Sequence, residues 1–227
     1  MRPSAIPRVK ICCIGSIREA QMAVDSGASA IGLVLAMPSG PGVIPEDTIA
    51  AIAGTVPPGV STFLLTSRQD AASIIAQQHR CRTNTIQLVD AVPVDVYADL
   101  RKGLPGVAIV QVIHVKGTAS IDEATSVAPS VDALLLDSGN PSLPVKELGG
   151  TGRTHDWTIS RKIREAVPVP VFLAGGLNAG NVAEAIATVR PFAVDLCSGV
   201  RTGGALDQSK LTDFFLAVHS VSPVSLS

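Results

Sequence analysis

The 227-residue sequence predicts a single closed (β/α)8 barrel, also called a TIM barrel, and three observations support this α/β fold class. Eight short apolar runs rich in β-branched residues alternate with eight segments of helical spacing. These strand–helix units fill residues 8–219 and leave little room for a second domain. An open doubly wound sheet usually carries a Gly-x-Gly-x-x-Gly after its first strand, and none follows the first run here. We expect one domain over residues 1–227, with 220–227 as a frayed tail.

The apolar runs are interpreted as strands because they are continuous rather than alternating. That pattern is expected when helices cover one face of a parallel sheet and a packed interior covers the other. In chain order, the predicted strands are 9–14, 30–35, 60–66, 85–89, 107–115, 131–136, 169–173 and 192–196.

The helical segments carry the expected start and stop signals. The first follows Ser16, a suitable N-cap, and ends before Gly27, a suitable residue for the left-handed position after a helix. The second begins with Pro45 and has Glu46 and Asp47 in its first turn, where acidic groups favour the helix dipole. The predicted helices are 17–26, 45–53, 68–78, 94–101, 120–127, 156–166, 178–188 and 208–219.

Composition excludes several partner classes. With 18 Lys+Arg against 19 Asp+Glu and only 3% aromatic residues, the chain has no basic, base-stacking surface for nucleic acid. No apolar run approaches the length of a membrane span, and the N-terminal residues lack the apolar stretch of an export signal. Four cysteines without a Cys-x-x-Cys pair indicate neither a zinc site nor a disulfide framework, so we expect a reducing cytoplasm.

Two glycine-containing loops at the end of the chain predict a phosphate site. In such barrels the working groups lie at the carboxyl ends of the strands, and the loops after strands seven and eight commonly hold phosphate. Here these loops are Leu-Ala-Gly-Gly-Leu-Asn at 173–178 and Asp-Leu-Cys-Ser-Gly-Val-Arg at 195–201. Glycines let backbone N–H groups approach an anion closely. The alternative is that these glycines serve only tight turns.

A thiol and a carboxyl group end two other predicted strands. Cys12 lies at the end of strand one and Asp137 follows strand six. Facing each other across a barrel mouth, the two groups could move a proton between two substrate atoms, as an isomerase requires. The alternatives are that Cys12 is a small buried apolar residue and that Asp137 caps its loop.

Several motifs together resemble the phosphoribosylanthranilate isomerase family. Val-Lys-Ile-Cys at 9–12 is similar to the opening Lys-Ile-Cys-Gly strand of that family. The resemblance continues in order from Lys10 to about Phe215, and so covers most of the chain. The matching segments are AVDSGASAIGLV at 23–34, IQL at 86–88, LLLD at 134–137, GGTG at 149–152, DW at 156–157, LAGGLN at 173–178, NV at 181–182, VD at 194–195 and SGV at 198–200.

The resemblance implies a reaction and roles for individual residues. The family converts an N-(phosphoribosyl)anthranilate aminoaldose into a 1-deoxyribulose phosphate by an Amadori rearrangement, in tryptophan biosynthesis. It implies that Cys12 is the general base at ribose C2, that Asp137 is the general acid for ring opening, and that Asp195 lies near the substrate. The phosphate-binding residues it implies are Gly150, Gly152, Gly175, Gly176, Ser198 and Gly199. It implies a small phosphorylated sugar as substrate and no metal or organic cofactor.

Three segments depart from the family pattern. The family's Ser-Pro-Arg-x-Val, whose arginine grips the anthranilate carboxylate, is Pro-Ser-Gly-Pro-Gly-Val here, and Pro41 stands about where the arginine should be. Proline cannot replace a bidentate arginine–carboxylate contact. The family's Gln-Leu-His-Gly is Gln-Leu-Val-Asp here, so Val89 replaces the histidine, and Cys13 replaces the glycine of Cys-Gly.

Other residues are candidates for a replacement pocket. Arg153 and Arg201 could each bind a substrate carboxylate, or could lie in solvent or contact phosphate. His114 ends strand five and, with the expected strand phase, points to the mouth, either as a site residue or as a satisfied buried histidine. Asp90 could bind a substrate hydroxyl or amine, or cap its turn, and His155 could cap helix six.

Two further alternatives concern the function as a whole. The first is an isomerase of the same mechanism that acts on a different phosphorylated substrate. The second is a phosphosugar-binding paralogue without activity, against which the presence of both Cys12 and Asp137 argues. A homo-oligomer is an open alternative to a monomer.

Overall fold

The computed structural model describes residues 6–221, which form a closed barrel of eight parallel strands with a helix after each strand. The strands follow one another in sequence order around the barrel, and β1 (Arg8–Ile11) pairs with β8 (Ala193–Leu196) to close it. The predicted fold class is therefore confirmed. Residues 222–227, most of the predicted tail, lie outside the described residues, and a single domain over the whole chain stays a prediction.

The remaining elements alternate as in the sequence-based prediction. The other barrel strands are β2 (Ala30–Val34), β3 (Ser61–Thr66), β4 (Thr85–Leu88), β5 (Ala108–His114), β6 (Ala133–Asp137) and β7 (Val171–Leu173). The helices are α1 (Ile17–Asp25), α2 (Glu46–Ala53), α3 (Ala71–Cys81), α4 (Val94–Gly103), α5 (Ala119–Val127), α6 (Trp157–Ala166), α7 (Val182–Val189) and α8 (Gln208–His219). None of these helices is long and apolar enough to cross a membrane.

Several element boundaries differ from the prediction by one to four residues, and a hairpin is added to the predicted elements. Strand β1 ends at Ile11 rather than at residue 14, although the Cys12 N–H still donates to the Leu196 carbonyl at 2.8 Å. Helix α7 begins four residues late because the side chains of Asn178 and Asn181 accept backbone N–H bonds in a preceding turn. A small hairpin, β9 (Arg201–Thr202) and β10 (Ala205–Leu206), was not predicted from the sequence.

Alternation along the strands separates two apolar layers. Residues such as Leu64, Ile86 and Leu134 are fully buried between barrel and helices, and burying each such side chain stabilises the fold by about 1.5–3 kcal/mol. The other face of each strand fills the barrel interior, where Phe63 and Phe172 pack edge to face with ring centroids 5.6 Å apart. The same alternation places polar side chains inward at the carboxyl ends of the strands.

Candidate active site

A cavity opens at the carboxyl end of the barrel, where the strand ends meet the loops that follow them. It contains about 650 Å³ of space free of protein atoms, with the solvent at its mouth included, a size suited to a small metabolite. Eight of the eleven residues predicted for the site line this cavity. They are Cys12, Asp137, Gly150, Gly152, Gly175, Gly176, Asp195 and Ser198.

The thiol of Cys12 occupies space left by a glycine on the neighbouring strand. A Cβ atom built on Gly32 would lie 2.7 Å from the Cys12 Sγ and 3.2 Å from the Lys10 Nζ. The absence of a side chain at Gly32 thus lets the thiol and the ammonium group converge. The Cys12 residue is 6% exposed, so its thiol meets solvent only through the cavity.

The carboxyl group of Asp137 is held at the end of β6, in register with His114 on β5. Burial raises the pKa of Asp137 above its ordinary value. The Ser138 N–H, which donates to Oδ1 at 2.7 Å, opposes this rise but does not reverse it. A carboxyl group that keeps its proton at higher pH is suited to act as a general acid.

A buried ion pair lies deeper in the barrel, below the thiol. Lys10 is completely buried, and its Nζ donates to the Asp195 Oδ1 at 2.9 Å. Burial alone would lower the pKa of Lys10, but the Asp195 carboxylate outweighs it and the net pKa lies above the ordinary value. The ammonium group is therefore charged, and it also lies 5.0 Å from the centre of the Phe63 ring.

The loops after β6, β7 and β8 pack backbone against backbone. A Cβ on Gly176 would lie 2.7 Å from the Arg153 carbonyl carbon, and one on Gly199 would lie 2.1 Å from the Leu177 oxygen. Gly176 also has a φ of +62°, which favours glycine. Glycine at these positions is thus required by close packing. Gly199 does not line the cavity but holds two of these loops together.

The same loops leave several backbone donors free. Among the hydrogen bonds described for residues 6–221, none uses the N–H of Gly176, Leu177, Ser198 or Gly199. Three of these residues line the cavity. Convergent free N–H groups in a glycine-rich concavity are an arrangement that binds anions.

Comparison with known proteins agrees with this geometry. A family model described as N-(5'-phosphoribosyl)anthranilate (PRA) isomerase matches residues 9–217. The N-(5'-phosphoribosyl)anthranilate isomerase 2 of Methanosarcina mazei is 37% identical over 209 residues, which cover 91% of this chain and 92% of that protein. The chain belongs to the PRA isomerase family.

Solved structures of PRA isomerases have the same fold. One, in complex with reduced 1-(o-carboxyphenylamino)-1-deoxyribulose 5-phosphate, is 26% identical with a TM-score of 0.79 and covers 94% of this chain and 99% of that chain. Another contains monomers of the dimeric enzyme from Thermotoga maritima, is 25% identical with a TM-score of 0.78, and covers the same shares. The family thus includes a member with a phosphorylated ligand bound and a dimeric member.

The sequence departs from the PRA isomerase motifs in the loops after β2 and β4. On this side of the cavity, residues of the chain contact one another and leave little open space. Pro41 lies over Gly150, where an added Cβ would come 2.5 Å from the Pro41 Cδ. Asp90 forms an ion pair with Lys146 at 2.5 Å, and the Ser39 hydroxyl donates to the Lys146 carbonyl at 2.6 Å. Among the described residues, the cavity lining contains no lysine or arginine. The structure therefore offers no free cation where the family's arginine is expected.

The structure does not bring either arginine candidate into the cavity. Arg153 is largely exposed and pairs with Glu147, and Arg201 pairs with Glu19 at 2.9 Å while its Nη2 donates to the Cys13 carbonyl. Neither side chain lines the cavity, so both candidates for carboxylate binding lack support from the geometry.

The histidines likewise make contacts within the protein. His114 points inward as predicted but lies outside the lining, with its Nε2 3.0 Å from the Val89 carbonyl oxygen. His155 does not cap helix α6, because Asp156 does so, and its Nε2 lies 2.6 Å from the Ser160 hydroxyl. Burial lowers the pKa of His155 to about 4.

Sequence reasoning did not single out Lys10 and Gly32. Lys10 precedes Cys12 by two residues, so strand periodicity places both on the interior face, and this signal was available in the sequence. For Gly32, no local signal distinguishes the glycine that accommodates the thiol from a glycine that merely fits a strand. Within residues 6–221 the structure contains no cluster of His, Cys, Asp and Glu that could hold a metal ion.

Proposed function

We propose that this chain isomerises N-(5'-phosphoribosyl)anthranilate to 1-(o-carboxyphenylamino)-1-deoxyribulose 5-phosphate by an Amadori rearrangement, the reaction of its family in tryptophan biosynthesis. The observation that carries the proposal is that Cys12 and Asp137 line one cavity together with the glycine-rich loops after β6, β7 and β8. A binding protein would need the loops but not the proton-transfer pair.

Asp137 acts first in the proposed mechanism. Its buried carboxyl group, whose raised pKa favours the protonated form, gives a proton to the ring oxygen of the sugar as the bond from C1 to that oxygen breaks, which leaves an open-chain iminium ion. The raised pKa keeps the proton available until the ring opens. The carboxylate that remains lies on the same side of the barrel as Lys10, whose positive charge offsets the new negative charge.

Cys12 then removes the proton from C2 as a thiolate. The electron pair of that C–H bond forms a C1=C2 bond and neutralises the iminium nitrogen. The resulting enol becomes the 2-keto product when Cys12 gives its proton to C1 and the C2 hydroxyl loses its proton, which restores the acid form of Asp137. The Lys10 ammonium lies beside the thiol, since a Cβ built on Gly32 would meet both groups. Asp195 keeps Lys10 charged and fixed in the barrel interior. Lys10 and Asp195 are thus positioning residues.

The phosphate of the substrate is held by the free backbone donors. In this proposal the N–H groups of Gly176, Leu177, Ser198 and Gly199 converge on it, with Gly150, Gly152 and Gly175 shaping the adjoining wall. Such binding is fixed in geometry before the substrate arrives and so anchors C1 and C2 between the two catalytic groups.

The test is a direct assay. Loss of phosphoribosylanthranilate fluorescence is followed with purified protein, and inorganic phosphate is added as a competitor. We expect turnover that phosphate inhibits by raising KM without lowering kcat. An absence of turnover at high enzyme concentration would overturn the assignment of the substrate, and turnover indifferent to phosphate would overturn the assignment of the loops.

A second candidate is the same rearrangement on a phosphorylated aminoaldose with a different amine substituent. Pro41 and the Asp90–Lys146 ion pair favour it, because they leave no free cation for the anthranilate carboxylate. A KM for phosphoribosylanthranilate far above that for a phosphoribosylamine lacking the carboxylate would support this candidate. The reverse order would exclude it.

The proposed function includes a partner, a cellular location and an oligomeric state for the protein. We propose a small phosphorylated sugar as the partner, no nucleic acid, and a place in the cytoplasm. The dimeric family member makes a homo-oligomer testable by light scattering of the purified protein.

A further inference from the structure

Three of the four cysteines of the chain line the candidate active site. Cys12 and Cys13 follow β1, and Cys197 follows β8, whereas Cys81 is buried at the end of helix α3. Only Cys12 has a role in the proposed reaction. The other two thiols at this cavity therefore require a separate explanation.

The closure of the barrel places these thiols side by side. In the pairing of β1 with β8, Ile11 is opposite Leu196, so Cys12 and Cys197 are the next residues along two hydrogen-bonded strands. The Cys12 N–H continues this pairing by donating to the Leu196 carbonyl at 2.8 Å. Cys13 packs in the same apolar cluster, against which Cys197 also packs. Cys197 is partly exposed in the open cavity, so a small molecule can reach it.

The backbone around Cys13 is held in an unusual conformation. Its φ is +62°, in the left-handed region that favours glycine and costs other residues about 1 kcal/mol or more. The Arg201 guanidinium secures this conformation by donating to the Cys13 carbonyl at 2.5 Å. In this conformation the Cys13 thiol contacts those of Cys12 and Cys197.

The two extra thiols differ in their tendency to ionise. Contacts with the thiols of Cys12 and Cys197, together with burial, hold the pKa of Cys13 well above its ordinary value. The contact with the Cys13 thiol lowers the pKa of Cys197 against the effect of burial, and the charge of Arg201 contributes further. Cys197 is thus the member of the pair that ionises more readily, and Cys13 holds its proton more tightly. A thiolate next to a second thiol is the arrangement that reacts with disulfides.

We propose that Cys197 and Cys13 form a modification site for small disulfide compounds, and that reaction there ends in a Cys13–Cys197 disulfide. The Cys197 thiolate attacks one sulfur of the small disulfide, which gives a mixed disulfide and releases one thiolate. Cys13 then attacks the Cys197 sulfur, and its proton passes to the second thiolate that leaves. The two cysteines are oxidised by two electrons, and the small disulfide is reduced to two thiols.

The bridge would change both functional parts of the cavity at once. Cys13 directly follows Cys12, and Cys197 directly precedes Ser198 in the loop that leaves backbone donors free. Drawing the two sulfurs into a covalent bond displaces both neighbours. This effect on turnover rests on the proposed function, whereas formation of the bond does not depend on it.

The experiment treats the purified full-length protein with oxidised glutathione and maps its peptides by mass spectrometry without reduction. We expect two of the four thiols to disappear, a Cys13–Cys197 link to form, and Cys81 to stay free. Turnover should fall with formation of the link and return with dithiothreitol. If the unoxidised protein has no turnover, the proposed function fails, and the peptide map still decides whether the modification site exists.

Two variants separate this link from its alternatives. Cys13→Gly restores the residue that suits φ +62° and should keep basal turnover while stopping at the mixed disulfide on Cys197. Cys12→Ser should still form the link. A link that survives Cys13→Gly, a link that is lost in Cys12→Ser, or a wild-type map with no modification at Cys197 would overturn the proposal. Fragmentation of the wild-type peptide between Cys12 and Cys13 gives the same answer if a variant does not fold.

Discussion

The two sides of the cavity are built on different principles. On the side of β1, β6, β7 and β8, buried strand ends carry the polar groups, and the Lys10–Asp195 ion pair is almost without solvent contact. On the side of β2 and β4, the loops after these two strands reach the long loop after β6 through Pro41 and the Asp90–Lys146 pair, in which Lys146 is 39% exposed. The first side fixes chemistry in the barrel itself. The second can change its residues without disturbing the barrel, and this is where the chain departs from its family.

The largest expected effect tests whether the first side carries the chemistry. Cys12→Ser and Asp137→Asn should each lower kcat by about 10² to 10⁴, the usual contribution of a general acid or base. Because burial raises the pKa of Asp137, wild-type turnover should also fall as pH rises through that pKa, when the acid loses its proton. Pro41→Ala, on the other side of the cavity, is the matched control. It should change kcat by no more than a few-fold, which corresponds to about 1 kcal/mol in activation free energy. Wild-type kcat in either catalytic variant would refute its role.

The next largest expected effect is a difference in how much the two ion pairs contribute to the free energy of unfolding. Lys10→Met leaves Asp195 buried without a partner and should lower the free energy of unfolding by about 3–5 kcal/mol. Lys146→Met leaves Asp90, which is 8% exposed, without its partner, but water can take the place of the 39% exposed ammonium, so the loss should be smaller, about 1–3 kcal/mol. Urea unfolding followed by circular dichroism measures both. Equal losses for the two variants would remove the distinction between the two sides.

A smaller effect concerns stability in acid. The pKa of His155 falls from 6.5 to about 4 on folding, so the unfolded chain binds a proton below pH 6.5 that the folded chain does not. The stability that this neutral histidine contributes is complete above pH 6.5 and is lost as pH falls towards 4, on the order of 3 kcal/mol. His155→Gln should flatten the decline of unfolding free energy in this range. His79→Gln, on the exposed part of α3, should leave the decline unchanged, and an identical profile for wild type and His155→Gln would contradict the prediction.

The smallest expected effect is a loss of turnover that depends only on where the Cys12 thiol lies. Gly32→Ala adds a Cβ only 2.7 Å from the Cys12 Sγ, so the thiol must move and turnover should fall by roughly 10²-fold or less. Gly59→Ala, with no atom within 4 Å of the added Cβ, should leave turnover unchanged. Steady-state kinetics of the two variants measures the difference, and full activity of Gly32→Ala would show that the thiol does not need this space.

The sequence was sufficient for the barrel and for the residues at the strand ends. Continuous apolar runs gave the eight strands, and strand-end position made Cys12 and Asp137 candidates, because parallel strands in a closed barrel all point their carboxyl ends to one face. The resemblance to the family then assigned their roles. Lys10 was missed because lysine is rarely buried, and only its pairing with Asp195 makes burial acceptable. That partner is 185 positions away in the sequence.

The side-chain directions of the loop arginines and the first residue of α7 could not be predicted either. Like the burial of Lys10, they depend on contacts with particular side chains. Whether Arg153 or Arg201 faces the cavity depends on its pairing with Glu147, in the loop after β6, or with Glu19, on helix α1. Periodicity along the sequence does not reveal either pairing. The late start of α7 depends on side-chain bonds within its preceding turn. Such contacts are chosen among many of nearly equal energy, so composition and spacing do not determine them.

The seam between β1 and β8 has a consequence for synthesis of the chain. A ribosome releases Lys10 and Cys12 early, but the strand with the carboxylate for that lysine emerges almost last. Until then the Lys10 ammonium has no partner on the strand face that must be buried in the barrel. Burial of this charge is unfavourable without the Asp195 carboxylate. A nascent polypeptide that stops short of β8 is therefore inert, and the appearance of activity reports that translation has passed this strand.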